Sequence, residues 1–242
     1  MIAIFTFLII SAAMIIRTLT GFGSALIAIP LLSILFGAKY AIPFIIIYEC
    51  LIDIMILAGE RSRLKTDVFS AWPLLIAGLI GVPLGTEVLI LSSDRFLKIG
   101  MGIALIVFSI LLMQNVSLNF RLDRLGSALA GLVGGFLCGS VGLPGPPMAL
   151  LLSSQGFQKE EFRRVIVVFL TALDFFTFGY YSWVGLITAD MLLHGLKFLP
   201  AMVLGFLVGR FAFGRVNEAH FRRLTLGITL AAGVLLLWSM MN

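Results

Sequence analysis

The sequence predicts an all-α membrane protein made of two inverted-topology repeats, each a broken or re-entrant helix pair followed by three transmembrane helices. Three observations predict it. Of 242 residues, 60% are hydrophobic and only 12% charged, with a mean hydropathy of +1.12, whereas a soluble domain carries about 25% charged residues. Clusters of glycine and proline interrupt the apolar sequence at comparable places in the two halves. The basic residues gather in short loops between apolar runs, as they do on the cytoplasmic side of membrane proteins. The net charge of +5 therefore gives no argument for a nucleic-acid partner. No stretch between apolar runs is long enough for a soluble domain, so residues 1–242 form one polytopic membrane domain. Repeat one covers about 1–113, a polar linker 114–124, and repeat two about 125–242.

The first element is an apolar helix over residues 2–19, interrupted at Thr20, Gly21, Phe22 and Gly23 and resumed over 24–36. A single straight helix over that range would be about 50 Å long, against a hydrocarbon core of about 30 Å. Two pieces are needed, and the second is too short to cross comfortably, so a re-entrant hairpin is expected. The N-terminus lacks a basic region and a cleavage site, which reads as a retained helix. Spans follow at 41–58, 69–91 and 96–113, with a charged loop at 61–67.

The second half repeats the plan. A helix over 125–141 leads to a break at 143–147, a short piece at 148–155 and a charged loop at 157–164. Spans then follow at 165–184, 191–210 and 224–240. Residues 139–147 read Gly-Ser-Val-Gly-Leu-Pro-Gly-Pro-Pro, and no α-helix continues through three glycines and three prolines. The segment beginning at Phe96 aligns with that beginning at Phe221, and Gly81 and Gly85 align with Gly205 and Gly209. If each break returns the chain to the side it came from, the loops at 59–67, 114–124, 156–164 and 210–223 share one side. They carry 12 Lys and Arg, against 3 on the other side. If each broken pair is instead one crossing, the split is 10 to 5. The positive-inside rule favours the first arrangement, with both termini outside and the halves inverted.

Two such breaks bring two half-helix N-termini together near the midplane, where free N–H groups and the positive dipole end favour an anion. The expected substrate-binding residues are Arg17, Gly21, Phe22, Gly23 and Ser24 from the first break, and Ser140, Gly142, Gly145 and Met148 from the second. Pro146 and Pro147 suit the first helical positions but contribute no donors. The alternative is that the glycines only allow close helix packing. Arg17 lies deep in an apolar helix and requires an anionic partner or a cavity. It contacts the substrate, pairs with Glu49 or Asp53, or reaches to the outer surface. Glu49 and Asp53, four residues apart, share a helix face, and Asp174 holds the matching span of the second half. All three are candidates for proton coupling, with a structural role beside Arg17, Tyr48, Tyr180 and Tyr181 as the alternative. Glu87, His194 and Lys197 read as boundary residues. Cys50 and Cys138 read as small core residues, and two histidines give no metal spacing. Neither a metal nor a cofactor is expected.

Gly21-Phe22-Gly23-Ser24 through Pro30-Leu31-Leu32, Leu64-Lys65-Thr66-Asp67 leading into the Gly78–Gly85 run, the 139–147 segment, and Leu204-Gly205 through Gly209-Arg210 with Phe221-Arg222-Arg223-Leu224 resemble the sulfite exporter TauE/SafE-like transporters. The resemblance spans nearly the whole chain. Family members typically carry a glycine run after the second break, where this chain has Leu143-Pro144-Gly145-Pro146-Pro147. The resemblance implies a multi-pass carrier, an exporter, in the bacterial inner membrane. Its partners would be the lipid bilayer and small sulfur-containing or organic anions such as sulfite, thiosulfate, sulfoacetate or other sulfonates. Protons are the candidate coupling ion, and a homo-oligomer is compatible with this reading. The alternatives are an anion channel of the same half-helix design and, last, an intramembrane enzyme. No membrane-embedded Ser/His pair and no HExxH is present to support catalysis.

Overall fold

Apolar segments that must satisfy their own backbone groups fold as helices, and among the described residues every regular element is a helix. The computed structural model describes residues 1–60, 72–114, 124–153, 159–213, 215 and 218–240. The first half contributes α1 (Ile2–Thr20), α2 (Ser24–Phe36), α3 (Ala38–Glu60), α4 (Trp72–Leu91) and α5 (Asp94–Met113). The second contributes α6 (Arg124–Val141), α7 (Gly145–Ser153), α8 (Lys159–Trp183), α9 (Ala189–Leu196), α10 (Leu199–Ala212) and α11 (Glu218–Trp238). Five of the described helices are long and apolar enough to cross a membrane, or six if the bent pair α9 and α10 counts as one span.

Packing joins the halves rather than keeping them apart. α4 lies along α6, α1 along α10, α5 along α11, and α3 against α8. α3 is the most enclosed span, with 72% of its most apolar window buried. Its first turn is tied to α5 by Asp94, whose Oδ1 accepts from the N–H groups of Ala38 and Lys39. Small residues set the helix spacing. A side chain at Gly85 would run into the Phe136 carbonyl, and one at Gly135 into the Gly78 carbonyl, so α4 and α6 touch backbone to backbone. In the α1–α10 pair, a side chain at Gly205 would meet the Ser11 carbonyl at 2.6 Å, and one at Gly209 the Thr18 Cβ at 2.7 Å. The small-residue packing expected of membrane helices thus holds for these four glycines.

The structure departs from the sequence expectations at several ends. The span expected over 191–210 is two helices, α9 and α10, meeting at 55°. Pro200 lies at the second position of α10, where its missing N–H costs nothing, whereas inside a continuous helix it would remove a backbone bond. Thr188 starts α9 by accepting from the Met191 N–H through its hydroxyl at 3.2 Å. The loop expected over 157–164 is helical from Lys159, in keeping with the good helix propensity of its lysine, glutamate and arginine residues. The short piece expected from Met148 begins at Gly145, so Pro146 and Pro147 fall in its first turn. The loop at 61–67, the first three residues of the span expected over 69–91, nearly all of the linker at 114–124, the end of the short piece at 154–155 and the start of the loop at 157–158 lie outside the described residues.

Candidate functional site

The site begins with two helix ends of the same kind. α1 stops because Gly21 takes a left-handed φ of 81° and donates its N–H to the Arg17 carbonyl at 2.8 Å. α6 stops at Gly142, with φ 71°. There the Gly142 N–H bonds the Cys138 carbonyl at 3.2 Å and the Leu143 N–H bonds the Leu137 carbonyl at 3.1 Å. Glycine reaches this conformation without the strain a Cβ would add, and such turns satisfy the last carbonyls of a helix. After each turn the chain starts a new short helix, α2 from Ser24 and α7 from Gly145. The breaks meet. A side chain at Gly145 would contact the Phe22 ring at 3.2 Å, and one at Gly142 would overlap Ile29 of α2.

Beside this junction lies a cavity of about 20 Å³, room for about one water molecule. Arg17, Gly23, Glu49, Gly142, Gly145 and Asp174 contribute to its polar and backbone wall, and Ile29, Ile42, Ile45 and Ile46 to its apolar wall. Arg17 sits one turn before the break, only 3% exposed. Its guanidinium holds three carboxylates. Nη2 donates to Asp53 Oδ1 at 2.7 Å and to Asp174 Oδ2 at 2.8 Å, Nε donates to Asp53 Oδ1 at 3.2 Å, and Nη1 is 3.2 Å from Glu49 Oε2. Ser24 Oγ, at the first position of α2, donates to Glu49 Oε1. The Cys138 thiol lies 3.3 Å from Thr177 Oγ1 and 3.9 Å from Asp174 Oδ1. Tyr181 closes the far side by donating to the Gly139 carbonyl at 2.8 Å.

Of the three readings of Arg17, pairing with carboxylates is the one observed, and it involves both halves, since Asp174 joins Glu49 and Asp53. It does not reach the outer surface. Other expected residues distribute unevenly. Gly21 and Phe22 build the first break, while Ser24 faces Glu49. Asp53 stands behind Arg17 without forming part of the cavity wall. The Ser140 hydroxyl donates to the Phe136 carbonyl of its own helix at 2.7 Å and is not on the cavity wall. Met148 is buried in α7, also off the wall. The tyrosines bond elsewhere, Tyr48 to the Gly195 carbonyl and Tyr181 to the Gly139 carbonyl, while Tyr180 stacks on Phe176. Of the boundary residues, Glu87 and Lys197 are exposed and His194 bonds the Tyr40 hydroxyl through Nδ1 at 2.7 Å. Cys50 and Cys138 are free and buried, but Cys138 also lines the cavity, which the sequence reading missed. The signal was available: Cys138 precedes Gly142 by the same four residues that separate Arg17 from Gly21.

Broken helices that carry ionisable side chains to a shared cavity, in a chain of apolar spans, define a polytopic membrane transporter. The comparison with known families gives the particular kind. Residues 6–236 match the family described as Sulfite exporter TauE/SafE, and the chain belongs to it. Comparison with curated proteins and with solved structures gives no match. Family membership makes the protein a multi-pass membrane transporter of the sulfur-anion class.

Proposed function

We propose that this protein exports a small sulfur-containing anion, such as sulfite, thiosulfate or a sulfonate like sulfoacetate, across the bacterial inner membrane. The anion binds between the two helix breaks, and its passage is coupled to protons carried by Glu49, Asp53 and Asp174. One observation carries the reading: both breaks and the buried Arg17 guanidinium border a single cavity. The N-terminus of α2 offers its first-turn N–H groups to an anion there, and α7 offers those of Gly145 and Met148 around its two prolines. With every group ionised, three carboxylates against one guanidinium leave the site too negative for an anion. Protons are the small cations that correct the balance without further ligands.

The inverted-repeat reading finds support in the packing. α4 against α6 and α10 against α1 are the same pairing with the halves exchanged, and the contacts repeat in detail. Gly81 and Gly85 approach Leu132 and Phe136 of α6, and Gly205 and Gly209 approach Ser11 and Ile15 of α1. Ser11 and Ile15 stand as far before Gly21 as Leu132 and Phe136 stand before Gly142. Carriers built this way alternate access by moving one half or bundle against the other.

The test is thermal unfolding of the purified protein with sulfite, thiosulfate, sulfoacetate, sulfate and chloride. A ligand at a hundredfold excess over its Kd stabilises the folded state by about 2.7 kcal/mol. Stabilisation by one or more of the sulfur anions and none by chloride is expected. In proteoliposomes, sulfur-anion flux should respond to an imposed proton gradient. Steady conductance that ignores the gradient points to a channel instead.

A further inference from the structure

The Glu49 carboxylate lies where two anion-attracting groups converge. Ser24 Oγ, on the first residue of the half-helix α2, donates to its Oε1, and Arg17 Nη1 stands 3.2 Å from its Oε2. Yet Oε2 is buried with no hydrogen-bond partner of its own, although an ionised carboxylate oxygen accepts two bonds readily. Asp53 also has one buried oxygen, Oδ2, without a hydrogen-bond partner, but it takes two N–H groups of Arg17 on Oδ1 and lies off the cavity wall. Glu49 is on the wall of this small cavity, and the Ser24 hydroxyl and Arg17 Nη1 beside it are turned to its carboxylate. An oxyanion that is to use those two groups therefore needs the place that the Glu49 carboxylate fills.

Resting on the transporter reading above, we infer that the Glu49 carboxylate is a tethered stand-in for the transported anion, leaving the Arg17–Ser24 seat when it takes up a proton. A neutral carboxylic acid loses most of its attraction to the guanidinium and to the helix N-terminus. It swings aside, and the free anion takes over the Arg17 Nη1 and Ser24 Oγ donors. Anion and proton are then bound together and released together. The other titratable groups around Glu49 are Asp53 and Cys50 on α3, Asp174 and Tyr181 on α8, and Cys138 on α6; α7 presents only Gly145 and Pro146 to the cavity. Asp174 stays on Arg17 Nη2, so only one of the two cavity-facing carboxylates exchanges with the anion.

The experiment measures the affinity of the full-length protein in detergent for thiosulfate and sulfoacetate, anions that do not themselves take up protons near neutral pH as sulfite does, between pH 6 and 9. Proton uptake on binding is measured in weak buffer. One proton bound with each anion makes affinity fall about tenfold per pH unit above the range where Glu49 is already protonated. Glu49→Gln, neutral at every pH, should bind with little pH dependence and without proton uptake. Glu49→Asp, which keeps a titratable group, should retain both. Wild-type binding without proton uptake overturns the inference while leaving the transporter reading intact, and so does pH dependence unchanged in Glu49→Gln. Absence of binding by either anion at every pH overturns both. If Glu49→Gln does not fold, uptake of about one proton per anion by the wild type, lost in Ser24→Ala together with affinity, supports the inference. Equal uptake with unchanged affinity in Ser24→Ala overturns it.

Discussion

Arg17 shows how one side chain can be both a liability and a fastening. Alone in an apolar helix it would be costly to insert, and three carboxylates from two other helices make its place tenable. Removing it leaves several buried negative charges facing one another. Arg17→Ala is expected to lower stability by about 3–5 kcal/mol, as other broken buried ion pairs do. Adding Asp53→Asn and Asp174→Asn to Arg17→Ala should recover part of the loss. Thermal unfolding in detergent micelles checks both, and a triple variant no more stable than Arg17→Ala would contradict this account. Arg17→Lys tests recognition rather than folding, because it keeps the charge and loses the planar fork that holds Asp53 and Asp174 on one nitrogen. Arg17 itself was legible in the sequence, since a charge deep in an apolar run demands an answer. Its partner Asp174 was not tied to it, because 157 residues separate them and no local rule bridges that distance.

At the level of helices, glycine performs two separable tasks. At Gly21 and Gly142 it turns the chain, and along α4 and α6 it lets two backbones meet. Gly135→Ala should separate α4 from α6 and cost about 1–3 kcal/mol by overpacking. Gly100→Ala on α5, where a side chain meets nothing within 4 Å, should be neutral or stabilise by up to about 1 kcal/mol through helix propensity. Equal effects at the two positions, read by thermal unfolding, would count against the packing account. The breaks were readable because glycine and proline act on their own backbone. The bend between α9 and α10 carried the same kind of mark in Gly195 and Pro200. It went unread because a lone proline near the start of an apolar run also fits the first turn of one unbroken span.

For the molecule as a whole, the exchanged pairing of α4 with α6 and α1 with α10 means that each half is completed by the other. The order of elements was largely visible in sequence, whereas which helix touches which was not, because apolar helices of similar composition fit many neighbours. The same architecture fixes an expectation for topology. Cysteines added at both ends should react in intact cells with a maleimide that cannot cross the membrane, since the native Cys50 and Cys138 are buried. Labelling of only one end would refute the odd number of crossings per half that inversion requires. The two halves are nonetheless unequal at their most sensitive point: where α1 places a fixed positive charge four residues before its turn, α6 places the neutral thiol of Cys138. Under the proposed alternating cycle, the form that opens the charge-bearing wall and the form that opens the thiol wall would differ in energy, so the anion affinity met from the two faces of the membrane should differ while the gradients alone set the direction of net transport.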